Sequence, residues 1–395
     1  MMQFAQRLQA LQSNVFADMD RTKTQAKLAG KTIIDLSLGS SDLPTDKTIL
    51  AEIARSLNDP TTHGYLLHNG TQAFRTAVAQ WYSERYGISV NPETEVLPLI
   101  GSQEGTAHFP LAILNPGDFA LLLDPGYPSH AGGVYLAGGQ IYPMPLLAEN
   151  EFLPIFADIP QAILDQSKLM VLSYPHNPTT AIAPLSFFEE AVKFCRKNQL
   201  VLVHDFPYFD FVFGETPLPP SVLQADRQKE LSIEFFTFSK SHNMGGFRVG
   251  FAIGNAELIL NLRKIKAMID FNQYQGILNG AIAALKSPPS LIQETINHFE
   301  IRRDAFVQAL SKIGWQVPTP SATMYVWAKL PEPWQKDSIK FCTELVLSTG
   351  IAVSPGAGFG KTGEGYVRFA LVYEPDILEK AVQKISEFLS EDHNH

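Results

Sequence analysis

Only 18% of the 395 residues are charged, and only two are cysteines, Cys195 and Cys342. Two thiols are too few for a disulfide scaffold or a cysteine-based zinc module, and they suit a reducing compartment. Long apolar runs are also missing, since none reaches the ~18 residues of a membrane span. The opening stretch MMQFAQRLQALQSN lacks the continuous apolar core and small-residue cleavage site of a signal peptide, so a cytoplasmic setting is expected. Positive charge is scarce too. Lys and Arg total 31 against 40 Asp and Glu, a formal net charge of -9. That balance argues against nonspecific binding to nucleic acid or anionic membrane. No repeat with a period of roughly 20–50 residues is visible.

What is present is a well-mixed globular chain. It is 45% hydrophobic and 11% aromatic, with 27 Gly and 27 Pro, which excludes a disordered or low-complexity protein. Length alone suggests roughly two or three domains of about 100–200 residues. Short apolar runs recur at residues 33–36, 96–100, 119–123, 169–172, 200–203, 235–238 and 249–253. From residue 96 onward they are continuous rather than alternating, as in strands of a parallel sheet covered on both faces. Helical stretches at 71–86, ending at Gly87, and at 185–198 lie between some of them. The pattern predicts an α/β fold with right-handed crossovers. After about residue 290 the rhythm changes: a helix at 294–313, strands at 325–328, 351–353 and 366–372, and a last helix at 376–389 predict a smaller α+β lobe. Phe4, Leu8, Leu11 and Val15 have the spacing of one helix face in a polar N-terminal arm.

In an open parallel sheet, ligands bind beyond the carboxyl ends of the strands. The residues there form a coherent chemical set: Ser102, Gln103 and Glu104; Tyr127; Asn177; Asp205 and Tyr208; Ser239 and Lys240; and Arg248, just before its strand. A lysine at a strand end would ordinarily be a snorkelling side chain. Partial burial would instead lower its pKa and suit it to Schiff-base chemistry. Asp205 ends an apolar strand and must find a cation, either an arginine or a protonated ring nitrogen. Asn177-Pro178 reads equally as a plain turn, Tyr127 as an ordinary buried tyrosine, and Arg368 as half of a surface ion pair. Ser102, Gln103 and Glu104 open a helix whose N–H groups could hold a phosphate.

Jointly these motifs resemble the class I aminotransferases, of fold type I among pyridoxal phosphate (PLP) enzymes. The lysine signature is Ser239-Lys240-Ser241-His242-Asn243-Met244-Gly245-Gly246-Phe247-Arg248-Val249-Gly250, and the others are Asn177-Pro178-Thr179-Thr180, Asp205-Phe206-Pro207-Tyr208 and Gly365-Tyr366-Val367-Arg368. The resemblance implies a large PLP-binding domain (46–288) with a mostly parallel seven-stranded sheet. It also implies a small domain built from the arm (1–45) and the C-terminal part (289–395). Lys240 would hold PLP and shuttle the substrate proton, Asp205 would pair with the pyridinium, and Asn177 and Tyr208 would bond the ring oxygen. Tyr127 would lie on the ring. Ser102, Gln103, Glu104, Ser239 and Arg248 would surround the phosphate, and Tyr65 would reach the phosphate of a neighbouring subunit, implying a homodimer with shared sites. Gly39 and Arg368 would receive the substrate carboxylate.

The implied reaction passes an amino group from an L-amino acid to a 2-oxo acid by a ping-pong route. The alternative is a PLP-dependent C–S lyase, which shares the cofactor residues. Similarity is greatest to the LL-diaminopimelate and aspartate branch, and polar Asn272, Gln273 and Tyr274 are expected near the side-chain pocket. Two departures stand out. Thr180 replaces the loop glycine, and Thr237 stands where the family often has Ser. The glycine-rich stretch 356–362 fails the phosphate-loop pattern because Pro355 takes the place of its first glycine. His393 and His395 sit in a terminal tail and are not read as a metal pair. No metal is expected, and His204, His242 and Cys195 read as structural.

Overall fold

A computed structural model gives the fold and describes residues 5–11 and 15–391. The strands, in chain order, are β1 (Ile34–Asp35), β2 (Val96–Leu99), β3 (Phe119–Asp124), β4 (Gln140–Pro145), β5 (Ser167–Leu172), β6 (Val201–Asp205), β7 (Ser232–Thr237), β8 (Gly250–Gly254), β9 (Tyr325–Lys329), β10 (Ile351–Ala352), β11 (Ser354–Pro355) and β12 (Tyr366–Ala370). Seven of them form one sheet in the order β2-β8-β7-β6-β5-β3-β4. β3, β4, β5, β6 and β7 run parallel, while β8 is antiparallel to both β7 and β2. The fold is therefore α/β, with a mostly parallel sheet flanked by helices.

The continuous apolar strands bury both faces. Leu121, Leu123, Met170, Leu172 and Leu202 point into one core, and Ala120, Leu122, Leu169, Val171 and Val203 into another. That alternation is the period-2 consequence of strand geometry acting on an all-apolar run. β4 went unanticipated. Its sequence, Gln-Ile-Tyr-Pro-Met-Pro, is mostly half-exposed or exposed, and its prolines are tolerated because it is an edge strand. The helix Gln72–Tyr86 stops where expected, on Gly87 with φ +68, a left-handed cap that glycine adopts without steric cost.

A third core forms the smaller α+β layer. The chain's beginning contributes Met19, Ala26 and Leu36, and its end contributes Phe306, Phe341, Phe369 and Leu378. β1 pairs in parallel with β10, and the Leu36 carbonyl accepts the Ala370 N–H at 2.8 Å. Tyr208, Phe211 and Phe213, inside the expected large domain, also pack into this core. The N-terminal stripe is split: a short 3-10 turn, Gln6–Leu11, precedes the helix Val15–Leu28. Leu8 and Leu11 remain exposed, and Phe4 lies outside the described residues, as do His393 and His395. No described helix is long and apolar enough to cross a membrane.

Arg302, on the helix Pro289–Lys312, joins the two chain ends. It is fully buried and bonds both oxygens of Asp42 (2.7 and 2.9 Å) and one of Glu374 (2.5 Å). Truncating one side of a fully buried pair costs about 3–5 kcal/mol. Here both carboxylates keep contact with water, so Arg302→Ala is expected to lose about 2 kcal/mol. A denaturant titration showing a loss below about 0.5 kcal/mol would contradict that role.

Candidate active site

The parallel strands end on one edge of the sheet, and their following loops meet there. Asp205 is the last residue of β6, and Lys240 lies three residues beyond β7. Arg248 precedes β8, whose reversed direction brings it to the same edge. These loops and the small lobe enclose a cavity of about 280 Å³. Its walls include Gly39, Ser102, Gln103, Tyr127, Asn177, Asp205, Tyr208, Ser239, Lys240, Arg248 and Arg368. Eleven side chains or backbone positions expected at one site are thus brought together from both ends of the chain.

Asp205 is only 3% exposed, and its Oδ2 lies 3.0 Å from His130 Nε2. Its other oxygen, Oδ1, is buried without a partner among the described residues. A buried carboxylate oxygen left bare is costly, so the site is built for a donor still to come. Lys240 Nζ donates to the Gly39 carbonyl at 2.5 Å and stands 5.7 Å from the centre of the Tyr208 ring. Gly39 is sterically obligatory, because an added Cβ would meet the Tyr325 hydroxyl at 1.8 Å.

Arg368 is buried, and its guanidinium lies over the rings of Tyr325 and Phe359 at 4.3 and 4.7 Å. It donates to Asn177 Oδ1 at 2.8 Å and to the Ser37 carbonyl at 2.6 Å, while its Nε has no partner among the described residues. Such a planar fork, stacked and partly unpaired, suits a carboxylate. Phe359 belongs to the glycine-rich turn, which therefore lies beside this arginine.

The Tyr208 hydroxyl donates to that of Tyr325 at 2.8 Å. Burial and then the neighbouring Tyr325 push the Tyr208 phenol well up. Burial alone would raise Tyr325 as well, but the Lys240 and Arg368 charges and the Tyr208 hydrogen bond outweigh it and lower the phenol. Burial raises Tyr127. At the anion end, an added Cβ on Gly101, whose φ is +73, would sit 2.6 Å from Arg248 Nη2. Thr237 Oγ1 donates to Ser239 Oγ at 2.8 Å, so threonine keeps the hydroxyl's bonding role.

Two of the residues expected to hold the cofactor stand apart. Glu104 does not line the cavity: both its oxygens bind Lys266 at 2.9 Å, and Oε2 also accepts the Ile100 N–H. Its own N–H bonds the Gly101 carbonyl at 3.2 Å, so neither its side chain nor its amide faces an anion. Tyr65 is 92% exposed, does not line the cavity and lies beside Phe271. Asn272, Gln273 and Tyr274 also miss the cavity wall. Asn272 and Gln273 bond the carbonyls of Leu66 and Leu99, and the Tyr274 hydroxyl pairs with Thr62. Sequence reasoning overlooked His130 and Tyr325. His130 follows Tyr127 by three residues at the start of the helix Pro128–Leu136, a spacing that could have revealed it. Tyr325 carried no signal beyond its strand. His204 proves structural, buried between Glu234 and the Tyr174 carbonyl. Cys195 is core.

Residues 31–385 match the family model described as aminotransferase class I and II. The chain is a class I/II aminotransferase. An LL-diaminopimelate aminotransferase of Dehalococcoides mccartyi is 42% identical over 99% of this chain and 100% of its own. One from Nitratidesulfovibrio vulgaris is 39% identical over 97% and 98%. Among solved structures, substrate-bound BacF from Bacillus subtilis superposes with a TM-score of 0.94 at 33% identity, covering 98% of each chain. A probable N-succinyldiaminopimelate aminotransferase from Thermus thermophilus gives 0.89 at 40% identity, covering 94% of this chain and 99% of its own. This aminotransferase acts on amino acids and 2-oxo acids, and its family implies PLP.

The aminotransferase holds Thr180 at φ +65 in the Asn177 loop. A β-branched residue is strained there by about 1–2 kcal/mol, partly offset by the entropy that glycine adds to the unfolded chain. Thr180→Gly is expected to raise stability by about 0.5–1 kcal/mol, read from the denaturant midpoint. A loss of stability would show that the Thr180 side chain contributes contacts that outweigh the strain.

Proposed function

We propose that the cavity binds PLP through Lys240 and that the preferred amino donor is of the LL-diaminopimelate kind. The observation that carries the cofactor reading is the bare, buried Asp205 oxygen, opposite a lysine in a cavity lined by three cations and one carboxylate. The residues fit the group. Asp205 Oδ1 would accept the ring N–H, Tyr127 would cover a ring face, and Ser102, Gln103, Ser239 and Arg248 would hold the phosphate. When bound, PLP supplies an electrophilic carbon for the amine and a protonated ring that accepts electron density.

The chain's own groups do the rest. His130 fixes Asp205 Oδ2, so the carboxylate keeps one orientation. Arg368, stacked between Tyr325 and Phe359, orients the donor carboxylate and hence its α-carbon. Lys240 Nζ is the cavity amine that takes the α-proton, and the Gly39 carbonyl and Tyr208 ring hold it near that position. The donor assignment is supported by full-length relatives at about 40% identity. A cytoplasmic homodimer is part of the proposal. Tyr65, Leu67, Met268, Ile269 and Phe271 leave apolar surface exposed in one chain, and a second subunit would cover it.

Two measurements test this. Lys240→Ala should fold, yet lose the visible absorbance of bound PLP and all transamination; a variant that keeps both overturns the cofactor assignment. A donor panel with 2-oxoglutarate should convert LL-diaminopimelate at a kcat/KM at least about tenfold above aspartate, alanine and glutamate. Equal rates across the panel, or ammonia and pyruvate released from cystathionine in place of transfer, would overturn the donor assignment.

A further inference from the structure

Behind the turn that opens toward the phosphate position lies a buried charge cluster. Lys266, on the helix Ala256–Ile269, is 2% exposed. Its ammonium sits 2.9 Å from both oxygens of Glu104 and 2.8 Å from Asp270 Oδ1. Glu104 Oε2 also accepts the N–H of Ile100, one residue before Gly101. His108 Nδ1 stands 4.0 Å from Glu104 Oε1. Glu104, His108 and Asp270 are close enough together to hold a metal ion. Lys266 already supplies the positive charge there, bonded to both carboxylates.

Glu104 lies in the first turn of the helix Ser102–His108, whose N-terminal end faces the cavity. A carboxylate there would ordinarily compete with an incoming anion for the same N–H groups and repel it. In this chain it is turned back toward Ile100 and neutralised from behind. We infer that Lys266 is a positioning residue for the cofactor: by offsetting the charge of Glu104 it lets the turn at Gly101, Ser102 and Gln103 accept a phosphate. The inference deepens the PLP reading above and rests on it.

The test loads the full-length chain with PLP at a pH well above the ordinary carboxylate range and measures cofactor affinity, together with inhibition of loading by inorganic phosphate. Lys266→Met should weaken both constants by about tenfold or more. The Glu104→Gln/Lys266→Met double variant, which removes both charges, should recover most of that loss. Glu104→Gln alone keeps an acceptor for Ile100 and should bind phosphate at least as tightly as wild type, so it carries the test even where Lys266→Met fails to fold. Wild-type affinity in Lys266→Met, a double variant as weak as the single one, or weaker phosphate binding in Glu104→Gln would each overturn the inference. Failure of the wild-type chain to take PLP at all would instead bring down the cofactor reading, and this inference with it.

Discussion

A carboxylate buried with one oxygen satisfied and the other bare is the constraint on which the site depends. Asp205 could not persist in an apolar sheet without a partner, and His130 supplies only half of one. The bare oxygen specifies a protonated donor at a fixed place. Its position is set by the parallel pairing of β6 with β5 and β7, which aligns the strand ends on one edge. The sheet core therefore fixes the chemistry directly, because a shift in strand register would carry Asp205 away from the lysine and arginines around it.

Charge is arranged locally against the character of the whole. The chain carries a net -9, yet Lys240, Arg248 and Arg368 face a single carboxylate in the cavity. Aromatic walls strengthen this bias, since Tyr325 and Phe359 sandwich Arg368 and limit its contact with water. The two chain ends meet at the same place: Gly39 accepts from Lys240, and Arg368 reaches back to the carbonyl of Ser37. Arg302, bonded to Asp42 and Glu374, also ties those ends together.

Much of this was legible in the residues, and the gaps have physical reasons. Continuous apolar runs marked six strands of the large sheet, because burial on both faces leaves no room for polar positions. β4 escaped because an edge strand faces water and tolerates Pro143 and Pro145. Lys240, Asp205 and Asn177, which line the cavity, could be picked out because each follows a strand that opens onto it, whereas Arg368 came only from the resemblance of its motif. Glu104 was misjudged because position in a helix turn does not reveal where a side chain points. Its partner Lys266 is 162 residues away. Tyr325 was invisible for a similar reason, since the hydroxyl it receives comes from 117 residues earlier. Tyr65 faces outward, and a single chain gives it no phosphate to meet.

The most direct test of the central claim is to observe the ring nitrogen itself. PLP labelled with nitrogen-15 at that atom, bound to the chain, should show by NMR a nitrogen that carries a proton at neutral pH. Asp205→Ala should abolish that protonation. A ring nitrogen unprotonated in the wild-type complex, or one whose protonation is indifferent to Asp205, would contradict the account.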